Sequence, residues 1–288
     1  MPEGAAAQRP AREAFGSRLA AAMAARGPLC VGIDPHPGLL ADWGLNDDVA
    51  ALERFSLTVV EAVASLAAAV KPQVALYERH GSAGMAVLER TLAAAADAGV
   101  LSIADAKRGD IGSTMAAYAD AWLRDGSALA ADSVTLSPYL GFESLRPALD
   151  LAAEYGRGVF VLALTSNPEG KSVQHVGGAD SVARRIAAAA AVENQRYAGS
   201  LGSVGLVVGA TIGSALQDLD VDLGAVRGPL LAPGLGAQGA TPADLRATFG
   251  NAYPSVLATS SRGILAAGPS LAGLRAATQE TLDGLLAA

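Results

Sequence analysis

Short apolar segments alternate with longer helical segments along nearly the whole chain, and this alternation strongly constrains the fold. Each apolar segment is rich in β-branched residues and ends at polar residues, glycine or proline, which is typical of a buried strand. Eight such segments occur, at residues 29–34, 69–77, 100–105, 133–137, 158–165, 203–210, 229–234 and 255–260. Strands that are apolar on both faces and separated by helices predict a parallel sheet covered by helices.

The intervening segments are typical of helices. Within 111–123, the residues Ile111, Met115, Tyr118 and Trp122 recur at helical spacing and would form one apolar stripe. Other helices are expected at 11–26, 53–68, 82–98, 180–198 and 270–286.

Eight strand–helix units fit a closed barrel better than an open doubly wound sheet, which more often has five or six strands. The predicted fold is therefore α/β, a single (β/α)8 TIM barrel with an extra N-terminal helix that would cover its bottom. The doubly wound sheet is the alternative. No linker-like break interrupts the 288 residues, so we expect one domain over 1–288, with residues 1–10 flexible.

Composition and charge exclude several classes of protein. A net charge of −7 argues against a nucleic-acid binder, which would present a basic surface. The N-terminus lacks the apolar stretch of a signal peptide, and no membrane-spanning run is found, so a cytoplasmic protein is expected. The lone cysteine, Cys30, rules out an internal disulfide or a thiolate metal cluster and is interpreted as a small core residue.

Functional residues of such a barrel lie at the C-terminal ends of the strands. Polar and charged residues gather at those positions in this chain. They are Asp34 after strand 1, Asp105 and Lys107 at strand 3, 165–167 after strand 5, 234–239 after strand 7 and Arg262 after strand 8. Lys71 lies within strand 2, and a lysine inside an apolar strand is unusual.

The segment after strand 3 concentrates charge. If the strand continues to Lys107, the side chains of Asp105 and Lys107 point to the same face. The carboxylates of Asp105 and Asp110, if 4 Å apart, would repel each other by about 4 kcal/mol at an effective dielectric constant near 20. Lys107, which lies between them in the sequence, would offset this repulsion. Two structural alternatives stay open. Asp110 could cap the following helix, and Asp105 could form a structural ion pair with Lys107.

The order Asp-x-Lys-x-x-Asp-Ile-Gly-x-Thr resembles the signature of the orotidine 5′-phosphate decarboxylase family. The matching residues are Asp105, Lys107, Asp110, Ile111 and Thr114. The likeness covers nearly the whole chain and is closest to the longer bacterial branch, type 2, in segments 71–73 and 165–168. It implies an enzyme without metal or other cofactor that converts orotidine 5′-monophosphate to UMP and CO2, the last step of de novo UMP synthesis.

The resemblance also implies residue roles near the reacting carbon. Lys107 would protonate C6 of the pyrimidine as CO2 leaves, with Asp105 and Asp110 flanking it. In the family, the residues corresponding to Asp110, Ile111 and Thr114 reach into the neighbouring subunit's site. A homodimer with shared active sites is therefore expected.

By the same resemblance, Asp34 and Lys71 would contact the ribose, and Ser166 the pyrimidine. Gln238, in the glycine-rich loop after strand 7, and Arg262 would bind the phosphate, a common location in TIM barrels. Structural alternatives are a turn role for Asp34 and Ser166 and a solvated surface position for Lys71.

Two other functions are considered. Related sugar-phosphate enzymes, such as a keto-gulonate-phosphate decarboxylase or a hexulose-phosphate synthase, share the Asp-x-Lys-x-x-Asp motif but use magnesium. They resemble one another in having an acidic residue on strand 2, where this chain has Lys71, which cannot ligate a hard cation. A non-catalytic barrel that binds nucleotides is the second alternative. No histidine is assigned a role, and Ser137, where many relatives have Asn, is assigned no ligand contact.

Overall fold

The strands close into a barrel, as expected. The computed structural model describes residues 12–197, 199–236 and 239–287, and within them eight parallel strands pair in chain order, with β8 returning to β1. The strands are β1 Leu29–Ile33, β2 Ala69–Pro72, β3 Leu101–Arg108, β4 Ser133–Leu136, β5 Gly158–Leu164, β6 Val204–Val208, β7 Leu230–Pro233 and β8 Val256–Ser260. The predicted TIM barrel is confirmed. Residues 1–10 and Gln238 lie outside the described residues.

Helices surround the barrel and fill the connections between strands. They are α1 Phe15–Arg26, α2 Pro37–Asp42, α3 Val49–Val63, α4 Ala75–Glu78, α5 Gly81–Asp97, α6 Gly112–Leu123, α7 Arg146–Glu154, α8 Lys171–Gln174, α9 Val182–Asn194, α10 Ala215–Asp218, α11 Pro242–Phe249, α12 Arg262–Leu265 and α13 Leu271–Ala287. None of those described is long and apolar enough to cross a membrane.

All eight predicted strands agree with the structure to within two residues at each end, except the second and third, whose C-terminal ends differ by three residues or more. The second strand ends at Pro72, and residues that continue the apolar run form α4 instead. Tyr77 in that helix is fully buried and its hydroxyl lies 2.8 Å from Ser56 Oγ, so burial rather than strand pairing explains the apolar run. An apolar run of this length does not by itself distinguish a strand from a short buried helix. The third strand is longer than predicted and continues to Arg108.

Helix α1 covers the N-terminal end of the barrel. The amide of Gly16 donates a hydrogen bond to Ser203 Oγ, just before β6. Phe15 is fully buried and meets Phe160 of β5 edge to face, with the ring centres 6.0 Å apart. A side chain at Gly158 would collide with the Phe15 ring, so this glycine is needed for the close approach. The predicted bottom-covering helix is confirmed.

The lower barrel interior is apolar. Cys30 and Ile103 belong to the same buried cluster as Phe15, with Val207 and Leu231 above the helix. Burial raises the pKa of the Cys30 thiol to about 12, which keeps it protonated at neutral pH. Cys30 is therefore a core residue, as predicted. The buried charged side chains of Lys71 and Asp105 lie nearer the C-terminal ends of their strands than this apolar cluster.

Replacement of Phe15 by alanine removes the aromatic side chain that closes the barrel bottom. We expect Phe15→Ala to lower the free energy of unfolding by about 3–5 kcal/mol, because it leaves a cavity between α1 and β5. Urea unfolding measures the change. Leu286→Ala, at a side chain that is 66% exposed, is the control and should change stability by less than about 0.5 kcal/mol. Equal midpoints for both variants would contradict the role given to α1.

Candidate active site

A cavity of about 780 Å³ opens at the C-terminal ends of the strands. Its walls include five residues predicted from the sequence, Asp34, Lys71, Asp105, Lys107 and Arg262. Apolar side chains lie deeper in the barrel, among them Leu162, Val207 and Leu231. A polar rim above an apolar interior is typical of a small-molecule site.

The carboxylate of Asp105 lies at the centre of the charged groups. Its Oδ2 accepts hydrogen bonds from Lys71 Nζ at 2.7 Å and Gln73 Nε2 at 3.1 Å. Its Oδ1 accepts from Lys107 Nζ at 2.6 Å and Thr135 Oγ1 at 3.0 Å. One carboxylate therefore connects β2, β3 and β4 and separates two ammonium groups.

The charges of this cluster depend on one another. Burial by itself would raise the pKa of Asp105, but the ammonium groups of Lys71 and Lys107 hold it well below its ordinary value. Burial would lower the pKa of Lys71, and the carboxylates of Asp105 and Asp34 raise it instead. Both groups are thus ionised at neutral pH. Because Lys71 is only 6% exposed, its interpretation as a solvated surface charge is wrong.

Lys107 projects into the cavity from a strained position. The strand continues through this residue, so the expectation that Asp105 and Lys107 share a face is confirmed by their ion pair. The backbone at Lys107 has φ +48°, a left-handed conformation that residues other than glycine rarely adopt. Its side chain is 45% exposed, in contrast to 9% for that of Asp105. The ammonium group is therefore both paired and accessible to a ligand.

Asp34 and Arg262 lie on the β1 and β8 side of the cavity. Ser261 Oγ donates a 2.6 Å hydrogen bond to Asp34 Oδ2, while the buried Oδ1 has no partner among the described residues. This free oxygen can accept a ligand hydroxyl. Arg262 begins α12, is exposed, and lines the cavity together with Gly234, whose φ is +123°. Gly234 directly follows β7 and precedes Gln238 by four residues in the sequence.

Asp110, Ile111, Thr114 and Ser166 do not line the cavity of their own chain. Asp110 is not the helix cap, because Ile111 precedes α6 as its capping residue. Among the described residues, the Asp110 carboxylate accepts a hydrogen bond from the neighbouring Ile111 amide alone, at 2.8 Å. Ile111 is 61% exposed and Thr114 is also exposed. Ser166 is exposed after β5, where Thr165 contributes to the cavity instead. Their functional roles stay predictions.

The site also contains Gln73, Thr135 and Ser261, none of which is predicted from the sequence. All three donate a hydrogen bond to a carboxylate of the site. The sequence could have indicated Thr135, since it is a polar residue within an apolar strand, as Lys71 is. Across 12–197, 199–236 and 239–287, no three His, Cys, Asp or Glu side chains are grouped so that they could hold a metal ion.

Residues 27–277 match the family described as the Orotidine 5'-phosphate decarboxylase / HUMPS family. The chain belongs to this family. An orotidine 5′-phosphate decarboxylase of Salinispora arenicola is 59% identical over 280 residues, which cover 96% of this chain and 98% of that relative. One of Streptomyces coelicolor is 59% identical over 269 residues, covering 92% and 94%.

Solved structures of this family also superimpose on the chain. A crystal structure from Streptomyces avermitilis has a TM-score of 0.92 at 57% identity and covers 97% of both chains. The structure of the Leishmania donovani OMP decarboxylase has a TM-score of 0.74 at 32% identity, covering 95% of this chain and 98% of that one. The family assignment made from the motif at the third strand is confirmed.

Neutralisation of Asp105 should destabilise the fold as well as the site. We expect Asp105→Asn to lower the free energy of unfolding at pH 7 by about 3–5 kcal/mol, because Lys71 is then buried without its carboxylate partner. Chemical unfolding measures this difference. Asp97→Asn, at an exposed position near the end of α5, is the control and should change stability by less than about 0.5 kcal/mol.

The same pair of proteins tests the charge of Asp105. Its pKa is lowered from an ordinary value of 3.8, so its stabilisation is fully present above that pH and is lost as the pH falls toward the lowered pKa. The difference between wild type and Asp105→Asn should therefore narrow below about pH 4. A difference that is constant from pH 7 to pH 3 would contradict the ion-pair cluster.

Proposed function

We propose that this protein is an orotidine 5′-phosphate decarboxylase that converts orotidine 5′-monophosphate to UMP and CO2 as the last step of de novo UMP synthesis. The observation that carries the proposal is the Lys71–Asp105–Lys107 cluster at the cavity wall. The relatives named above support the same activity, since they are 59% identical over nearly the whole chain.

The proposed reaction requires a fixed cation beside one carbon atom. The bond between C6 and the carboxylate breaks, CO2 leaves, and the electron pair stays on C6. The Lys107 ammonium stabilises this developing negative charge and then transfers a proton from Nζ to C6. Asp105 Oδ1, at 2.6 Å from Lys107 Nζ, holds the ammonium in place before the reaction.

The remaining predicted residues would bind the rest of the nucleotide. Asp34 has an unpaired buried oxygen and would accept a ribose hydroxyl, next to the buried ammonium of Lys71. Arg262 and Gln238 would bind the phosphate, and Ser166 the pyrimidine. Binding energy from the distant phosphate can be used to position C6 against Lys107.

The structure of the cluster favours this activity over the magnesium-dependent sugar-phosphate chemistry found elsewhere in the family. Lys71 Nζ lies 2.7 Å from Asp105 Oδ2 and donates to it. An ammonium group therefore occupies the side of the carboxylate where a divalent cation would otherwise bind, so we propose a reaction without metal or cofactor. A barrel that only binds nucleotides would have no need of two lysines around one carboxylate.

We further propose a homodimer in which Asp110, Ile111 and Thr114 complete the other subunit's site. Support comes from their position away from their own cavity and from three exposed apolar side chains in the connections after β3 and β4. The exposed fractions are 61% for Ile111, 78% for Tyr139 and 55% for Leu140. Exposed apolar side chains of this size favour a protein interface. Given its charge of −7, we propose that the dimer acts on the free nucleotide in the cytoplasm and not on nucleic acid or membranes.

An absorbance assay tests the activity directly. Wild-type protein mixed with orotidine 5′-monophosphate in EDTA should produce UMP, because no metal is required. Lys107→Ala should lower kcat by about 10²–10⁴-fold, since it removes both the electrostatic stabilisation and the proton donor. Lys171→Ala, at the chain's third lysine, which is exposed, is the control and should retain wild-type turnover. Absence of conversion by wild type would refute the proposed function. Conversion only after magnesium is added would refute its metal independence.

Mixed dimers test the shared site. Lys107→Ala and Asp110→Asn should each be nearly inactive as pure proteins. If the two residues act in the same site from different subunits, random pairing gives about half mixed dimers, each with one intact site, so about a quarter of wild-type activity should return. Mixing should restore no activity if both residues act from one subunit. A monomer in sedimentation analysis would equally refute the dimer.

A further inference from the structure

The pairing of β3 with β4 is interrupted beside Lys107. Ala104 pairs with Val134, and the next pair is Arg108 with Leu136. Residues 105–107 of β3 therefore lie opposite a single β4 residue, Thr135. An irregularity of this kind removes backbone groups from the regular ladder and is often found near functional sites.

The Thr135 hydroxyl forms hydrogen bonds with the residues at both ends of this irregular stretch, Asp105 and Lys107. The Lys107 amide donates to Thr135 Oγ1 at 2.9 Å, and the same hydroxyl donates to Asp105 Oδ1 at 3.0 Å. Thr135 is only 1% exposed, so water does not readily replace it. One side chain thus binds the backbone of Lys107 and the carboxylate that holds the Lys107 ammonium.

This double contact matters because of the backbone conformation of Lys107. Its φ of +48° is unfavourable for a residue with a side chain and persists only where the surroundings enforce it. The direction of the Lys107 side chain follows from that backbone conformation. The hydrogen bond to the Lys107 amide therefore fixes the Cα from which the Lys107 side chain starts. The hydrogen bond to Asp105 orients the carboxylate that holds the Lys107 ammonium at the other end of the side chain.

We propose that Thr135 is a positioning residue, whose hydroxyl sets the place of the Lys107 ammonium relative to the substrate. The inference rests on the proposed decarboxylase function. Thr135 is not among the residues that line the cavity, so it would act on the reaction by holding the proton donor. Small displacements of a reacting group can cost about 100-fold in rate, so the effect should appear in kcat.

The test compares Thr135→Val, which keeps the shape of the side chain and removes its hydroxyl, with wild type. We expect kcat to fall by about 10–100-fold while KM and the Kd for UMP change by less than about threefold, because ground-state binding does not use the position of Lys107. Thr135→Ser and Thr135→Ala form a second pair, which differ by the hydroxyl alone. Thr135→Ser should restore most of kcat, and Thr135→Ala should not.

Ser133→Ala is the matched control. Ser133 lies two residues earlier on the same strand, is fully buried, and its hydroxyl has no hydrogen-bond partner within the described part of the chain. The kcat of Ser133→Ala should equal that of wild type. If Thr135→Val does not fold, comparing the kcat of Thr135→Ser with that of Thr135→Ala tests the role of the hydroxyl instead.

The possible results distinguish a failure of the proposed decarboxylase function from a failure of the role proposed for Thr135. A wild type that does not decarboxylate orotidine 5′-monophosphate would remove the proposed function, and the inference with it. An active wild type with equal kcat for Thr135→Ser and Thr135→Ala would overturn the inference alone. Parallel losses of kcat and UMP affinity would also overturn it, because they would indicate general damage to the site.

Discussion

The carboxylate of Asp105 holds together the side chains on which the site depends. Lys71 and Gln73 approach one of its oxygens from the β2 side, and Lys107 and Thr135 approach the other. A buried ion pair is worth little in net stability, but the loss of one partner is costly. The cluster is therefore better understood as a constraint on geometry: it requires β2, β3 and β4 to lie side by side, which a closed parallel barrel ensures.

The barrel separates the groups that stabilise the fold from those that bind a ligand. At the N-terminal end of the strands, Phe15 from α1 packs into an apolar interior that excludes water. At the C-terminal end, charged side chains line an open cavity. The packing of α1 against the N-terminal ends of the strands stabilises the barrel. The strain at Lys107 and the unpaired oxygen of Asp34 can therefore be maintained at the other end.

The order of strands and helices was predictable, because it follows from periodicity and composition. Asp105 and Lys107 were also predictable as neighbours, since alternate residues of a strand share a face. The contact of Thr135 with both depends on an irregular register between two strands, and periodicity within one strand contains no information about register. The predicted bounds of β2 were wrong because the apolar run continues to Tyr77, which is buried in α4 and not in the strand. For Asp110 and Ile111, the family motif alone suggests a role, since neither reaches the cavity of its own chain.

The arrangement of charges also accounts for turnover in the proposed reaction. Before the reaction, the carboxylates of Asp34 and Asp105 balance the ammonium groups of Lys71 and Lys107. Transfer of a proton to C6 leaves Lys107 neutral, so the remaining three groups have a net negative charge of one. Lys71 is buried whereas the Lys107 side chain is 45% exposed, so the lysine that must regain a proton is more accessible to water than the lysine that stays charged throughout.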